Sequence, residues 1–183
     1  MKHLSRALVP LLAAATLAGL TATPAAAERA TYRDPADVAG ASLNDIRRVG
    51  VVNGPERTVV RVKVTDLRRR SQAGPAGLTV RVDTRADRRG PEYRLTTGMY
   101  AGTDYQLLRM RHGRPVGEPL TCAHRVDLDF ARDVVVVRMG DGCLGDPGQV
   151  RIGVKVVDLF DGSHPVTDWL GAAGSWTDWL SAS

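Results

Sequence analysis

Two cysteines, Cys122 and Cys143, bracket the segment CAHRVDLDFARDVVVVRMGDGC, and this segment constrains the fold more than any other. Its first arm carries Val126, Leu128 and Phe130 at alternate positions, and its second carries Val135, Val137 and Met139. Folded about Arg132-Asp133, Phe130 faces Val135, Leu128 faces Val137 and Val126 faces Met139. The same register sets Cys122 opposite Cys143 on the apolar face, so side-chain period and thiol pairing agree. The segment is therefore predicted to be a β-hairpin closed at its base by a disulfide.

Residues 1–27 read as a secretory signal peptide. Lys2 and Arg6 form a positive start, Ala7 to Leu20 an apolar core, and Ala25-Ala26-Ala27 a small-residue cleavage site. The core is too short to span a bilayer comfortably, so no membrane span is expected after cleavage. Residues 28–183 are read as one domain, secreted to an extracellular, oxidising compartment where one bridge between two cysteines fits. Their spacing has no C-x-x-C and no two further ligands beside it, which favours a structural bridge over a redox pair or a metal thiolate site.

Removing Lys2 and Arg6 lowers the excess of Lys and Arg (25) over Asp and Glu (20) from five to three. A charge this modest bears on solubility and weak association rather than on one partner.

Along the chain, alternating valines mark the strands. Glu28 to Leu43 is polar and punctuated, and reads as a leading loop. Asp45 to Val52 is the first strand, with a bulge allowed at Arg47-Arg48 where alternation breaks. Arg57 to Leu67 sets Val60, Val62 and Val64 inward, and a third strand carries Leu78, Val80 and Val82. Further strands are expected over Tyr93–Thr97, Tyr105–Arg111, the two hairpin arms and Val150–Asp158. The tail from Phe160 reads as loop and holds Trp169, Trp176 and Trp179. About eight strands, short turns and no convincing amphipathic helix predict an all-β antiparallel sandwich, jelly-roll or immunoglobulin-like, with one disulfide. An up-and-down barrel is the alternative.

Several segments resemble landmarks of uncharacterised secreted proteins of actinomycete type. They are Asp34-Pro35-Ala36-Asp37, Asn44-Asp45-Ile46, Val82-Asp83-Thr84, Gly90-Pro91-Glu92-Tyr93, Cys143-Leu144-Gly145-Asp146-Pro147 and Asp168-Trp169. The strand pattern is also similar, at the level of fold, to DOMON-like and family 9 carbohydrate-binding sandwiches. Those modules carry aromatic sugar platforms on their strands, for which this chain has few residues.

Four constellations could carry chemistry. His124 lies on the inward phase of the hairpin opposite Asp141, which reads as a structural histidine beside the disulfide or, alternatively, as a His–carboxylate pair with no nucleophile placed beside it by sequence. Asp34, Asp37, Asn44 and Asp45 are hard oxygen donors of the kind calcium takes, completed by a residue such as Asp158 or Asp161; they also suit turns and caps. Arg68-Arg69-Arg70 and Arg85, Arg88 and Arg89 read as solvated charge runs, and would form a basic patch for phosphate or acidic polysaccharide if both loops lay at one end. No aromatic residue is interleaved with them, so no nucleic-acid partner is expected. The three tryptophans serve either a sugar or partner surface or the packing of the tail.

The expectation is a secreted, non-enzymatic extracellular binding or interaction domain for an unknown ligand. The alternatives are a hydrolase with a dispersed site, such as His124 with Asp141, and a purely structural cell-surface protein.

Overall fold

Valine-rich alternation builds two antiparallel sheets packed together. A computed structural model describes residues 27–36, 44–70, 76–159 and 165–182. The first sheet comprises β1 (Glu28–Arg33), β2 (Ile46–Asn53), β3 (Arg57–Val64), β8 (His124–Asp129) and β9 (Val134–Gly140), in the order β1-β2-β3-β9-β8. The second comprises β4 (Gly77–Asp83), β5 (Tyr93–Gly98), β6 (Tyr105–Arg111), β7 (Arg114–Val116), β10 (Gln149–Asp158) and β11 (Val166–Trp169), in the order β11-β10-β4-β5-β6-β7. β12 (Leu180–Ser181) also pairs with β10, and one helical turn, α1 (Asp141–Leu144), follows β9. The antiparallel sandwich and its disulfide are as expected, with twelve strands among the described residues rather than about eight.

The core is the sum of the inward alternations. Val60, Val62 and Val64 of β3, Val135, Val137 and Met139 of β9, and Leu78, Val80 and Val82 of β4 meet Val150, Ile152, Val154 and Val156 of β10. Each such side chain, withdrawn from water, contributes about 1.5–3 kcal/mol. The irregularity at Arg47 is real: pairing of β2 with β3 shifts register between Ile46 and Arg48.

The disulfide hairpin keeps its faces but changes its register. Val126 pairs with Val137, Leu128 with Val135 and His124 with Met139, two residues away from the expected alignment. A slip of two preserves which face each side chain takes, so the apolar pattern cannot distinguish the two. The loop decides. Asp129 Oδ1 accepts the N–H groups of Ala131 and Arg132, and Asp133 adopts a left-handed φ of 53°, giving a four-residue connection that includes Phe130. The bridge survives because the second arm does not run straight to Cys143. β9 stops at Gly140, and α1 carries Cys143 back to Cys122, with a Cα–Cα distance of 5.5 Å.

Two regions read as loop are strands. Glu28–Arg33 pairs with β2 along its whole length. The tail forms a broken edge along β10: Trp169 pairs with Lys155, Leu170 N–H donates to Val154 O, Thr177 N–H to Ile152 O, and Leu180 pairs with Val150. Between these contacts residues 171–176 leave the edge and return. At its end Ala182 bridges Ala27, which joins the second sheet to the first.

Asn53, at the end of β2, is fully buried at this junction. Its Nδ2 donates to Leu180 O (2.9 Å), and its Oδ1 accepts from Thr58 Oγ1 (2.8 Å).

Candidate functional site

The tail places its three tryptophans over the outer face of the second sheet, where they alternate with cations. Lys155 Nζ lies 5.5 Å and the Arg81 guanidinium 4.7 Å from the Trp169 ring centre. Arg81 also stacks on Trp176 at 4.4 Å; Arg151 stacks on Trp176 at 5.1 Å and on Trp179 at 4.8 Å. The rings are half-buried, so they are neither core residues nor an exposed flat platform. Each contact is worth about 0.5–2 kcal/mol, rising as water is excluded.

Gly153 makes room for this stack. It sits directly across from Arg81, and a Cβ there would lie 2.4 Å from Arg81 Nη2 and 2.8 Å from Nε. Arg81 therefore lies over the glycine backbone, where its Nη2 donates to Ser175 O (2.9 Å). Burial pulls the guanidinium's pKa below its ordinary value. Gly153→Ala is expected to displace Arg81 from between Trp169 and Trp176. Tryptophan fluorescence should shift in position and intensity; a spectrum identical to that of the parent would contradict the stack.

At one end of the ladder Arg151 donates from Nε (2.9 Å) and Nη2 (2.6 Å) to Oδ2 of Asp83, a fully buried carboxylate. Asp83 Oδ1 accepts the N–H of Arg85 (3.1 Å), which leads the chain into a polar cleft of about 520 Å³. The 84–88 loop, the start of β5, the end of β6 and the Leu144–Gly148 turn form its walls. Arg85, Arg88 and Arg109 line it together with Thr84, Tyr93 and the carboxylates of Glu92 and Asp146. Tyr93 and Arg109 are direct cross-strand partners, and Met110 N–H donates to Glu92 O (2.7 Å), which fixes Arg109 at the mouth. The turn is shaped by Gly145, whose φ of 73° is left-handed; a Cβ there would lie 3.2 Å from the Tyr93 hydroxyl.

Charge in the cleft is uneven. Arg85 is paired with Asp87 (2.8 Å), whereas Arg88 and Arg109 make no ion pair among the described residues. Glu92 Oε2 accepts the Thr84 N–H (2.9 Å); burial, and then the neighbouring Asp83, raise its pKa above the ordinary carboxylate value. Burial likewise raises the pKa of Tyr93. Guanidinium forks match the geometry of carboxylate and phosphate oxygens. The lining holds no histidine, cysteine or serine.

The two arginine runs do not form one patch. Arg69 O accepts from Ala101 N–H beside the Gly77 end of β4, while Arg85–Arg89 follows the Asp83 end, about 20 Å away for seven extended residues. Arg68 pairs with Asp66, and Arg69 stacks on Phe130 at 4.8 Å. Arg85 and Arg88 gain Arg109 instead, which sequence spacing could not reveal because it arrives through the pairing of β5 with β6.

His124 and Asp141 are not partners. With Met139 opposite His124, the histidine Nδ1 contacts Cys122 O (2.8 Å), and its ring meets Tyr105 edge-on at 5.6 Å. Asp141 begins α1, and desolvation followed by the charge of Asp146 raises its pKa.

Of the four oxygen donors, Asp34, Asn44 and Asp45 are buried, and Asp37 lies outside the described residues. Asp158 and Asp168 join them, and the bonds cross between the sheets. Asn44 Nδ2 donates to Asp158 Oδ2 (2.9 Å), Ile46 N–H to Asp168 Oδ2 (2.6 Å) and Gly171 N–H to Asp34 Oδ1 (2.7 Å). Asp45 Oδ2 pairs with Arg47 (2.9 Å). These contacts form an inter-sheet clasp, and a melting series tests the calcium expectation against it. A bound cation stabilises the fold by about 2.7 kcal/mol at a hundred times Kd and so raises the melting temperature with ion concentration. A clasp of hydrogen bonds alone melts alike in calcium and in chelator.

No protein-family model, curated protein or solved structure matches this chain.

Proposed function

We propose that the protein is a secreted, non-enzymatic extracellular binding domain whose ligand presents carboxylate or phosphate groups to the cleft between β5, β6 and the Leu144–Gly148 turn. The observation that carries this reading is the convergence of Arg85, Arg88 and Arg109 on one cleft, two of them without an ion pair among the described residues. A disulfide fits an oxidising compartment. Among the described residues, no helix is long and apolar enough to cross a membrane.

Calorimetry with a polyuronate, a polyphosphate and a neutral glycan tests the proposal. The two polyanions bind and the neutral glycan does not; added salt weakens binding to the exposed guanidinium groups. Arg88→Ala and Arg109→Ala each weaken binding about tenfold or more, the scale of a hydrogen bond to a charged group. Equal affinity of the variants and the parent would remove the cleft from the account. A protein that binds none of the three ligands would favour the structural cell-surface reading.

Binding also carries a pH signature. Protonation of Glu92 removes a negative charge from the cleft wall, and its raised pKa brings that step above the ordinary Glu range. Affinity for a ligand that stays ionised therefore rises as pH falls through this step, and Glu92→Gln flattens the dependence.

A further inference from the structure

The corner holding the disulfide carries a third metal-ligating side chain. The sulfurs of Cys122 and Cys143 and a ring nitrogen of His124 all lie within 4.8 Å of one another. The register described above produces this grouping: β8 starts at His124, two residues beyond Cys122, while α1 folds Cys143 back over the start of the strand. The His124 ring is held in place by its 2.8 Å contact with Cys122 O and by the edge of Tyr105.

We propose that reduction of Cys122–Cys143 converts this corner into a binding site for a zinc-type cation, held by the two thiolates and the His124 imidazole. Two sulfurs and one nitrogen are the donor set that a borderline-soft, tetrahedral ion prefers. Zn–S bonds of about 2.3 Å in a tetrahedron need the sulfurs about 3.7 Å apart, so they must separate once the bond between them is broken. Cys122 can supply that movement, because it is only half-buried and lies outside the strands, whereas Cys143 is buried in α1. Beside the corner lies a cavity of about 340 Å³ lined by His124 and Glu56 together with the cationic Arg57, Arg125 and Arg138. It opens onto His124, and a water molecule would take the fourth coordination position.

Reduction uses an external dithiol. One of its thiolates attacks Cys122 Sγ, the less buried of the two sulfurs, and expels Cys143 as thiolate; its second thiolate then releases Cys122, and the reductant leaves as a disulfide. Two electrons pass to the cysteine pair. Cys143 Sγ lies 3.4 Å from Ala123 O, so the protonated thiol has an acceptor at hand until metal displaces the proton. In the oxidised state neither sulfur is a thiolate, and the site is closed to metal.

Cobalt(II) is the spectroscopic probe, added to the whole protein with and without a phosphine reductant under anaerobic conditions. The reduced protein should bind one equivalent with a thiolate-to-cobalt charge-transfer band, and zinc should bleach that band. The oxidised protein should show none. Cys143→Ser should abolish the band, and His124→Ala should weaken cobalt binding at least tenfold while the far-ultraviolet β signal is kept. Equal binding by the His124→Ala variant, equal binding by the oxidised protein, or no binding after reduction would overturn the proposal. So would a reduced protein that loses its β signal and does not regain it with zinc.

Discussion

Replacing both cysteines by serine should lower the melting temperature by about 10 °C. Cys122 and Cys143 are 21 residues apart, and closing a loop of that size restricts the unfolded chain enough to stabilise the fold by about 3 kcal/mol. For a domain of this size each kcal/mol moves the midpoint by about 2–4 °C. The loss should be local before it is global. β8 is an edge strand, and the bridge ties its start to the α1 turn. Without the bridge, amide exchange should accelerate over His124–Asp129 more than over β3 or β4. Calorimetry and exchange on the double variant check both effects; a midpoint within about 2 °C of the parent would show that the hairpin and turn hold themselves.

A chain ending at Thr167 should suffer more. Deleting residues 168–183 removes the Asp168 acceptor for Ile46 N–H, the Gly171 N–H that Asp34 accepts, and the Leu180 carbonyl that satisfies Asn53. It also removes the buried side chains of Leu170 and Leu180 and uncovers the outer edge of β10. Two leucines at about 2 kcal/mol each, with several buried polar groups losing partners at about 1–3 kcal/mol each, approach the whole stability of an ordinary domain. The shortened protein should show no cooperative melting transition near that of the parent. Asn53→Ala offers a finer measure and should cost about 2 kcal/mol, because it strands Leu180 O and Thr58 Oγ1 in the interior. A truncated protein with an unchanged midpoint would mean that the strap carries none of this stability.

Parts of this architecture were legible in the sequence because they repeat every two residues. Val60-x-Val62-x-Val64 and Val150-x-Ile152-x-Val154-x-Val156 can bury one face only as strands, and the interrupted alternation at Arg47-Arg48 marked its bulge. The same periodicity explains the hairpin error: a two-residue slip leaves the apolar face intact, and only the capping by Asp129 and the left-handed Asp133 select the observed alignment. β1 was hidden because it is an edge strand whose inward residues, Ala30 and Tyr32, are only partly buried. β11 and β12 are too short to show a period, and they form because β10 offers them backbone partners.

The cleft was legible only in fragments. Arg85 and Arg88 stood out as a charged loop, but Arg109, Glu92 and the Leu144–Gly148 turn come from separate parts of the chain. Nothing local announces that β5 brings Tyr93 against Arg109. The three tryptophans were visible, but their stacking partners Arg81, Arg151 and Lys155 depend on the pairing of β10 with β4 and with the tail. Gly153 gave no sign of its role, since its importance arises only from the arginine lying across it.

The most direct test of the binding account is an NMR titration of the isotopically labelled protein with a short polyphosphate or oligouronate. Amide shifts should move together and saturate at Thr84–Arg88, Glu92–Tyr93, Arg109–Met110 and Gly145–Gly148, the four segments that close the cleft. Saturating shifts centred elsewhere, or none at ligand concentrations where the parent binds by calorimetry, would contradict the assignment of ligand binding to this cleft.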